Sequence, residues 1–196
     1  MEFRMETMFG SKKAILKDGI EVILKPMVRD DEEALYEFFQ RLSEDQLNTL
    51  RSNVRDRNVI HNWADHLDYA RVLPLLAWIG TEIVGDATLH RISYGWKRHI
   101  GIVRFAVAPK YQGLGLATFM LNELVRLGHE LGLEKLWAEV PLDSVNAIRT
   151  CRNAGFACKA VIEGLVKDAL NQNQDILIMV CDIPAFFDRR WDANNG

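Results

Sequence analysis

An apolar strand that runs into Pro109, a loop bearing Gly113 and Gly115, and a long amphipathic helix follow one another without interruption, and this segment most limits how the chain folds. From Val107 it reads Ala108, Pro109, Lys110, Tyr111, Gln112, Gly113, Leu114, Gly115, Leu116, Ala117. Amides at a helix start have no partner inside the helix, and the helix dipole favours negative charge beside them. Two glycines leave the backbone bare, so a phosphate can come close to those amides. The spacing predicts a phosphate or pyrophosphate cradle. It is not the dinucleotide fingerprint, because the third glycine of that motif would fall at Thr118 and this is not the chain's first strand-to-helix turn. The sequence has no Gly-Lys dipeptide for a P-loop and no G-x-S-x-G for a hydrolase elbow.

The remaining elements build outward from that turn. Ala14 to Leu16 and Ile20 to Leu24, joined through Asp18-Gly19, predict an N-terminal hairpin over 14–24 that Pro26 ends. Asp30 to Glu33 supply acidic residues for the start of a helix that carries Ala34, Leu35, Phe38, Phe39 and Leu42. Short helices are expected between Ser43 and Arg71, where Arg51, Arg55 and Arg57 are interleaved with aspartates as on a solvated face. Leu73 to Ile79 and Glu82 to Ile92, joined by Gly80-Thr81, predict a second hairpin. Ile100 to Val107 reads as a strand, Leu116 to Leu131 as a helix capped by Gly132, Leu136 to Val140 as a strand and Val145 to Ala154 as a helix. Phe156 to Val166 and Asp175 to Cys181 close the order as strands, leaving 184–196 as a tail. Early antiparallel hairpins with strand–helix–strand in the middle define one mixed α/β (α+β) domain over 1–196.

A net charge of −3 argues against a nucleic-acid partner, and no apolar run reaches the roughly 18–20 residues of a membrane span. Cys151, Cys158 and Cys181 contain no C-x-x-C pair and the histidines are scattered, so neither a metal site nor a disulfide framework is expected. Free thiols, and an N-terminus carrying Glu2, Arg4 and Glu6 in place of an apolar leader, predict a cytoplasmic protein.

Gln112-x-x-Gly115-x-Ala117 resembles the (Gln/Arg)-x-x-Gly-x-(Gly/Ala) motif of the GNAT superfamily of N-acetyltransferases. The strand before it, Phe105-Ala106-Val107-Ala108-Pro109, and the position of Tyr111 agree with that superfamily. So do Asn146-Ala147-Ile148-Arg149 and the following Ala154-Gly155-Phe156, which look like its second motif. The resemblance spans the core of the chain. It implies a mostly antiparallel central sheet with a splayed parallel pair of strands, flanked by helices. It also implies acetyl-CoA as donor, with the acetyl group moving to a primary amine by direct attack in a ternary complex. The backbone amides of Gln112, Gly113, Leu114, Gly115, Leu116 and Ala117 would hold the pyrophosphate. Ala106 and Val107 would pair with the pantetheine arm through their backbone, and Asn146 would bind that arm. Read from the residues alone, Gln112 is equally a surface residue and Asn146 a helix-start cap.

An amine of pKa near 10.4 is about 99.9% protonated at pH 7, so a base matters more than an acid for this reaction. The superfamily often places a tyrosine acid five residues after the motif asparagine. Here that position is Cys151, either a proton donor or a small buried hydrophobe. The carboxylate usual on the strand before the cofactor bulge is absent, and Arg104 stands near its place. Glu139, late in the next strand, is the expected base, ahead of His99 and Asp86; its other reading is a structural partner for Arg104 or Arg149.

Upstream, Asp18-Gly19, Leu24-Lys25-Pro26 and Asp31 to Leu35 with Phe38, Leu42 and Ser43 look like the start of the acetyltransferase domain of bacterial protein-lysine acetyltransferases, with Lys25 where arginine is usual. The acceptor is therefore expected to be a small-molecule amine or a protein lysine. Trp63, Tyr69, Asp65 and Asp68 lie in the segment that lines the acceptor side in this superfamily. They either receive a cationic amine or belong to an ordinary helix with a buried Trp and solvated acids. Two other readings stay open: a non-catalytic acyl-CoA-binding sensor, and an interaction module docking through Phe186, Phe187 and Trp191, a tail that also suits a homodimer.

Overall fold

The computed structural model describes residues 10–195, with side chains described from 10 to 189. The strands are β1 (Lys12–Ile15), β2 (Glu21–Pro26), β3 (Val72–Ile79), β4 (Glu82–Arg91), β5 (Ile100–Val107), β6 (Lys135–Pro141), β7 (Ala157–Lys167) and β8 (Asn173–Asp182). The helices are α1 (Glu32–Gln40), α2 (Glu44–Asn48), α3 (Arg57–Asp65), α4 (Leu116–Glu130), α5 (Val145–Asn153) and α6 (Ile183–Asn195). Among the described residues the strands form one 8-stranded sheet in the order β1-β2-β3-β4-β5-β6-β8-β7. Every neighbouring pair is antiparallel except β5 and β6.

That parallel pair positions the site. Its register covers only Ile100 with Lys135, Gly101 with Leu136 and Ile102 with Trp137. Beyond it Val103–Val107 and Ala138–Pro141 run on without pairing to each other, which opens the gap that the resemblance implied. The closed end is drawn tight at Gly101, where a Cβ would meet Leu89 Cδ1 at 2.5 Å and Leu133 Cδ1 at 2.9 Å.

Period-2 alternation sorts the side chains of β4. A Cβ at Gly85 would touch Met120 of α4 at 3.0 Å, so Gly85, Ala87 and Leu89 face that helix. Met120, Leu121, Leu124 and Val125 of α4 are fully buried in the same core. Asp86, Thr88 and His90 therefore point to the opposite face, together with their register partners Ala106, Arg104 and Ile102.

The sequence region 43–71 folds as the short helices expected. Arg55 pairs with Glu44 and Arg57 with Glu33. Asp65 is held by Arg29 and His61, while Asp68 accepts from the Ala70 amide at 3.0 Å. Trp63 packs edge-on to Phe39 and the Tyr69 hydroxyl donates to the Met27 carbonyl. All four residues are engaged in contacts of this kind within the chain.

The tail is a helix. Asp182 Oδ1 accepts the Ala185 amide at 3.1 Å and Pro184 occupies the first turn, both ordinary start signals. Phe186 is buried, and Phe187 packs on His129 with ring centroids 4.6 Å apart. Both lie against the sheet's own helices rather than standing free for docking; the side chain of Trp191 falls outside the described residues. β7 is exposed on both faces along its whole length.

Candidate active site

The cradle forms where β5 ends. Ala108 leads into a 3-10 turn, Pro109–Tyr111, anchored by buried Tyr111. Gly113 and Gly115 then take positive φ of 76° and 93°, and Gly115 sits at the start of α4 without any side-chain cap. Among the described residues, none of the amides from Gly113 to Thr118 donates a hydrogen bond. Consecutive N–H groups thus face outward at the positive end of a 15-residue helix. The sequence did not announce Lys17, in the β1–β2 turn. Its amide donates to the Leu114 carbonyl at 3.2 Å, and its Cε lies 4.0 Å from where a Gly115 Cβ would be. This places an exposed ammonium beside the loop.

Backbone direction along β5 follows from its ends. The His99 carbonyl accepts from Glu134 and Lys135 on the β6 side, and the Ala108 amide donates to Val84 on the β4 side. No register shift interrupts the β4–β5 ladder. Strand alternation then turns the N–H and C=O of Phe105 and Val107 toward the gap, and those of Ala106 toward β4. Of the two residues expected to meet a pantetheine arm, Val107 faces the gap with its backbone and Ala106 faces β4; Phe105 also faces the gap. The Val107 carbonyl is itself occupied, accepting from Gln46 Nε2 at 2.9 Å and from Gln112 Nε2 at 3.1 Å. Gln112 is thus exposed but tethered. Gln46 belongs to α2 and also completes a capping box with Ser43, a sequence-readable signal that says nothing of Val107.

The face opposite α4 collects the titratable groups. Trp137 shares it as the register partner of Ile102, and Glu139 follows two residues on. Glu139 Oε2 meets Arg51 Nη2 at 2.5 Å and its Oε1 accepts from Trp137 Nε1 at 3.4 Å. The partner of Glu139 is therefore Arg51, which periodicity did not single out. Asp86 makes no hydrogen bond with another described residue, and burial pushes its carboxyl up to about 7. His90 Nε2 lies 3.2 Å from Thr88 Oγ1, and burial, reinforced by the charges of Arg104 and Arg51, pushes it down to about 4. Burial and then the charge of Arg51 lower the pKa of Arg104, with Glu139 acting the other way.

Cys151 is 0% exposed on α5, and burial drives its thiol up to about 12. Asn146 is exposed in the first turn of α5, one residue inside the helix rather than at its cap, and its Oδ1 accepts from Arg149 at 2.8 Å. Among the described residues no group of three or more His, Cys, Asp or Glu side chains is arranged to hold a metal ion. No described helix is long and apolar enough to cross a membrane.

The short parallel seam thus opens beside a run of unpartnered amides, with ionisable groups on the face beyond. The sequence profile of the acetyltransferase (GNAT) family matches residues 31–156, and the chain belongs to that family. No curated protein matches it in sequence. Among solved structures, the GNAT domain of PAT from S. lividans aligns with a TM-score of 0.73 at 22% identity, covering 88% of this chain and 96% of that one. Ribosomal-protein-alanine N-acetyltransferase from Brucella melitensis gives 0.72 at 20% identity, over 81% and 98% of the two chains. The yncA protein from Salmonella typhimurium, solved with its cofactor acetyl-CoA, gives 0.71 at 16% identity, over 83% and 94%. The shared fold includes the mixed sheet and the parallel pair expected from the sequence.

Proposed function

We propose that the chain is a cytoplasmic N-acetyltransferase that takes its acetyl group from acetyl-CoA. The observation that carries this reading is the run of unpartnered amides from Gly113 to Thr118 beside the opening between β5 and β6. In it, the pyrophosphate rests on the amides of Gly113 to Ala117 with Lys17 alongside, and the pantetheine arm lies in the gap against the backbone of Phe105 and Val107. Asn146, on the exposed first turn of α5, meets that arm from the far side.

The acceptor arrives as an ammonium and first gives one proton to a base. We assign that base to Asp86, acting through water: it stands opposite Ala106 on the face beyond α4, has no hydrogen-bond partner among the described residues, and burial pushes its carboxyl up to about 7. Glu139, the base expected from the sequence, has both oxygens engaged by Arg51 and Trp137 and serves better to bind and orient. The amine lone pair then forms the N–C bond to the thioester carbonyl, and the C–S bond breaks. The sulfur leaves as thiolate and takes up the second proton released by the nitrogen. A thiol held near 12 cannot usefully protonate a leaving thiolate of pKa about 8.5, so Cys151 keeps its proton and contributes packing. The rival reading, a non-catalytic acyl-CoA sensor, draws support from the same buried Cys151 and occupied Glu139.

Titration calorimetry with acetyl-CoA tests the cradle, with Gly115→Glu as control. Binding by the wild type and none by the variant is expected; no binding to folded wild-type protein overturns the reading. Thiol release on adding an amine then separates enzyme from sensor.

A further inference from the structure

One cation on the face opposite α4 has no partner among the described residues. Arg51 and Glu139 satisfy each other at 2.5 Å. Arg104, half-buried on β5 and within electrostatic reach of both, makes no hydrogen bond or ion pair with another described residue. Its register partner on β4 is Thr88, flanked on the same face by His90, neutral above about pH 4, and by Asp86, a carboxyl that burial pushes up to about 7 and that forms no hydrogen bond or ion pair with Arg104. Arg51 is thus paired with Glu139, while Arg104 pairs with neither Glu139 nor Asp86. A partly desolvated, unpartnered guanidinium is costly and is satisfied by a bidentate anion. A wholly cationic acceptor such as a polyamine would be repelled by the same guanidinium.

We propose that the acceptor amine carries a carboxylate a few bonds from its nitrogen, with Arg104 and Arg51 receiving the carboxylate and Glu139 the ammonium. Opposite charges one contact apart on the protein match a zwitterion whose own charges are as close. The chemistry suits a free α-amino acid, or a peptide that begins with aspartate or glutamate. This rests on the transferase reading above, and the test keeps the two separable.

The experiment follows thiol release from acetyl-CoA by the full chain. The amines are free L-α-amino acids, their α-amides, spermidine, Nα-blocked lysine and short peptides with N-terminal Asp, Glu or Ala. At least one carboxylate amine is expected to exceed its neutral counterpart in kcat/KM by roughly 10- to 100-fold. Arg104→Gln should collapse that ratio to within about fivefold of unity, because it removes the charge-assisted contact made only by the acid. Preference for the free acid over its amide assigns an amino acid; preference for Asp or Glu over Ala peptides assigns a peptide. Spermidine or blocked lysine as best substrate, equal rates for acid and amide, or an unchanged ratio in Arg104→Gln each overturns the inference while leaving acetyl transfer standing. Should no amine release thiol, calorimetric titration of the CoA-loaded protein decides it: heat from a carboxylate amine that Arg104→Gln abolishes supports the proposal, and heat from spermidine alone, or from neither, overturns it. Absence of acetyl-CoA binding instead fails the transferase reading itself.

Discussion

Asp86 and Ala106 stand opposite each other across the β4–β5 ladder, which sets a half-buried carboxyl beside the strand that borders the gap. Raised from 3.8 to about 7, that carboxyl binds its proton more tightly in the folded than in the unfolded chain. Between those values the folded state holds the extra proton, so stability falls as pH rises through the window and the loss is complete above about 7. At about 1.4 kcal/mol for each unit, the loss is on the order of 4 kcal/mol. Asp86→Asn should therefore melt higher than wild type at pH 8, with the gain vanishing near pH 4. The same variant should lose the acidic limb of the kcat/KM profile, a limb that Glu139→Gln should keep. Thermal scans and rate profiles across pH check both.

His90 is expected to remain neutral across physiological pH. Depressed from 6.5 to about 4, it favours the fold above its ordinary pKa, and that contribution is lost as pH falls from 6.5 toward 4. Removing one of the two cations that reinforce the depression, as in Arg104→Gln, should move its titration upward. Proton NMR of the imidazole ring would show an unshifted midpoint if Arg104 exerts no field there.

Lys17 should strengthen the grip on an anionic donor without touching the chemistry. As an exposed side chain, its replacement by glutamine should weaken CoA affinity by roughly two- to fivefold, an effect that high salt erases. Calorimetry at low and high salt reads it directly. A loss independent of salt would mean that the substitution disturbed the Leu114 contact instead.

Thiol labelling separates the cysteines. Cys158 is exposed, whereas Cys151 and Cys181 are buried, each with its thiol raised to about 12. One thiol per chain should react with an aromatic disulfide reagent in the native protein and all of them after unfolding. Cys151→Ala should lower turnover less than tenfold, short of the roughly hundredfold or more that losing a positioned acid costs.

Gly155 combines a φ of 85° with a neighbour, since a Cβ there would lie 2.5 Å from Phe186 Cδ2. Gly155→Ala is expected to destabilise by about 2–4 kcal/mol, through the left-handed backbone and overpacking together. Urea midpoints measure it, and Phe186→Leu in the same chain should restore part of the loss.

Much of this was legible before any coordinates. Alternating apolar residues and turn glycines placed the strands, and Gly113 and Gly115 marked the loop before α4, because such signals are local. Asp182 and Pro184 also announced α6, although the segment reads more easily as a tail. What stayed hidden depends on residues far apart in sequence. Gln46 reaches Val107 across 61 positions and Arg51 reaches Glu139 across 88, and no periodicity encodes either contact. Which backbone groups of β5 face the gap depends on its register against both neighbours, which is fixed by the bonds at His99 and Ala108.

The three-pair seam between β5 and β6 also has a thermodynamic consequence. A sheet that parts midway forgoes ladder hydrogen bonds, each worth about 0.5–1.5 kcal/mol net. The amide-bearing arm of a bound cofactor can take the place of the missing stretch of strand. The free chain is in that sense an unfinished sheet with its two halves stitched at one end, and the ligand works as a removable strand. Donor occupancy should then be felt as cohesion between β1–β5 and β6–β8, in slower amide exchange on both banks of the seam.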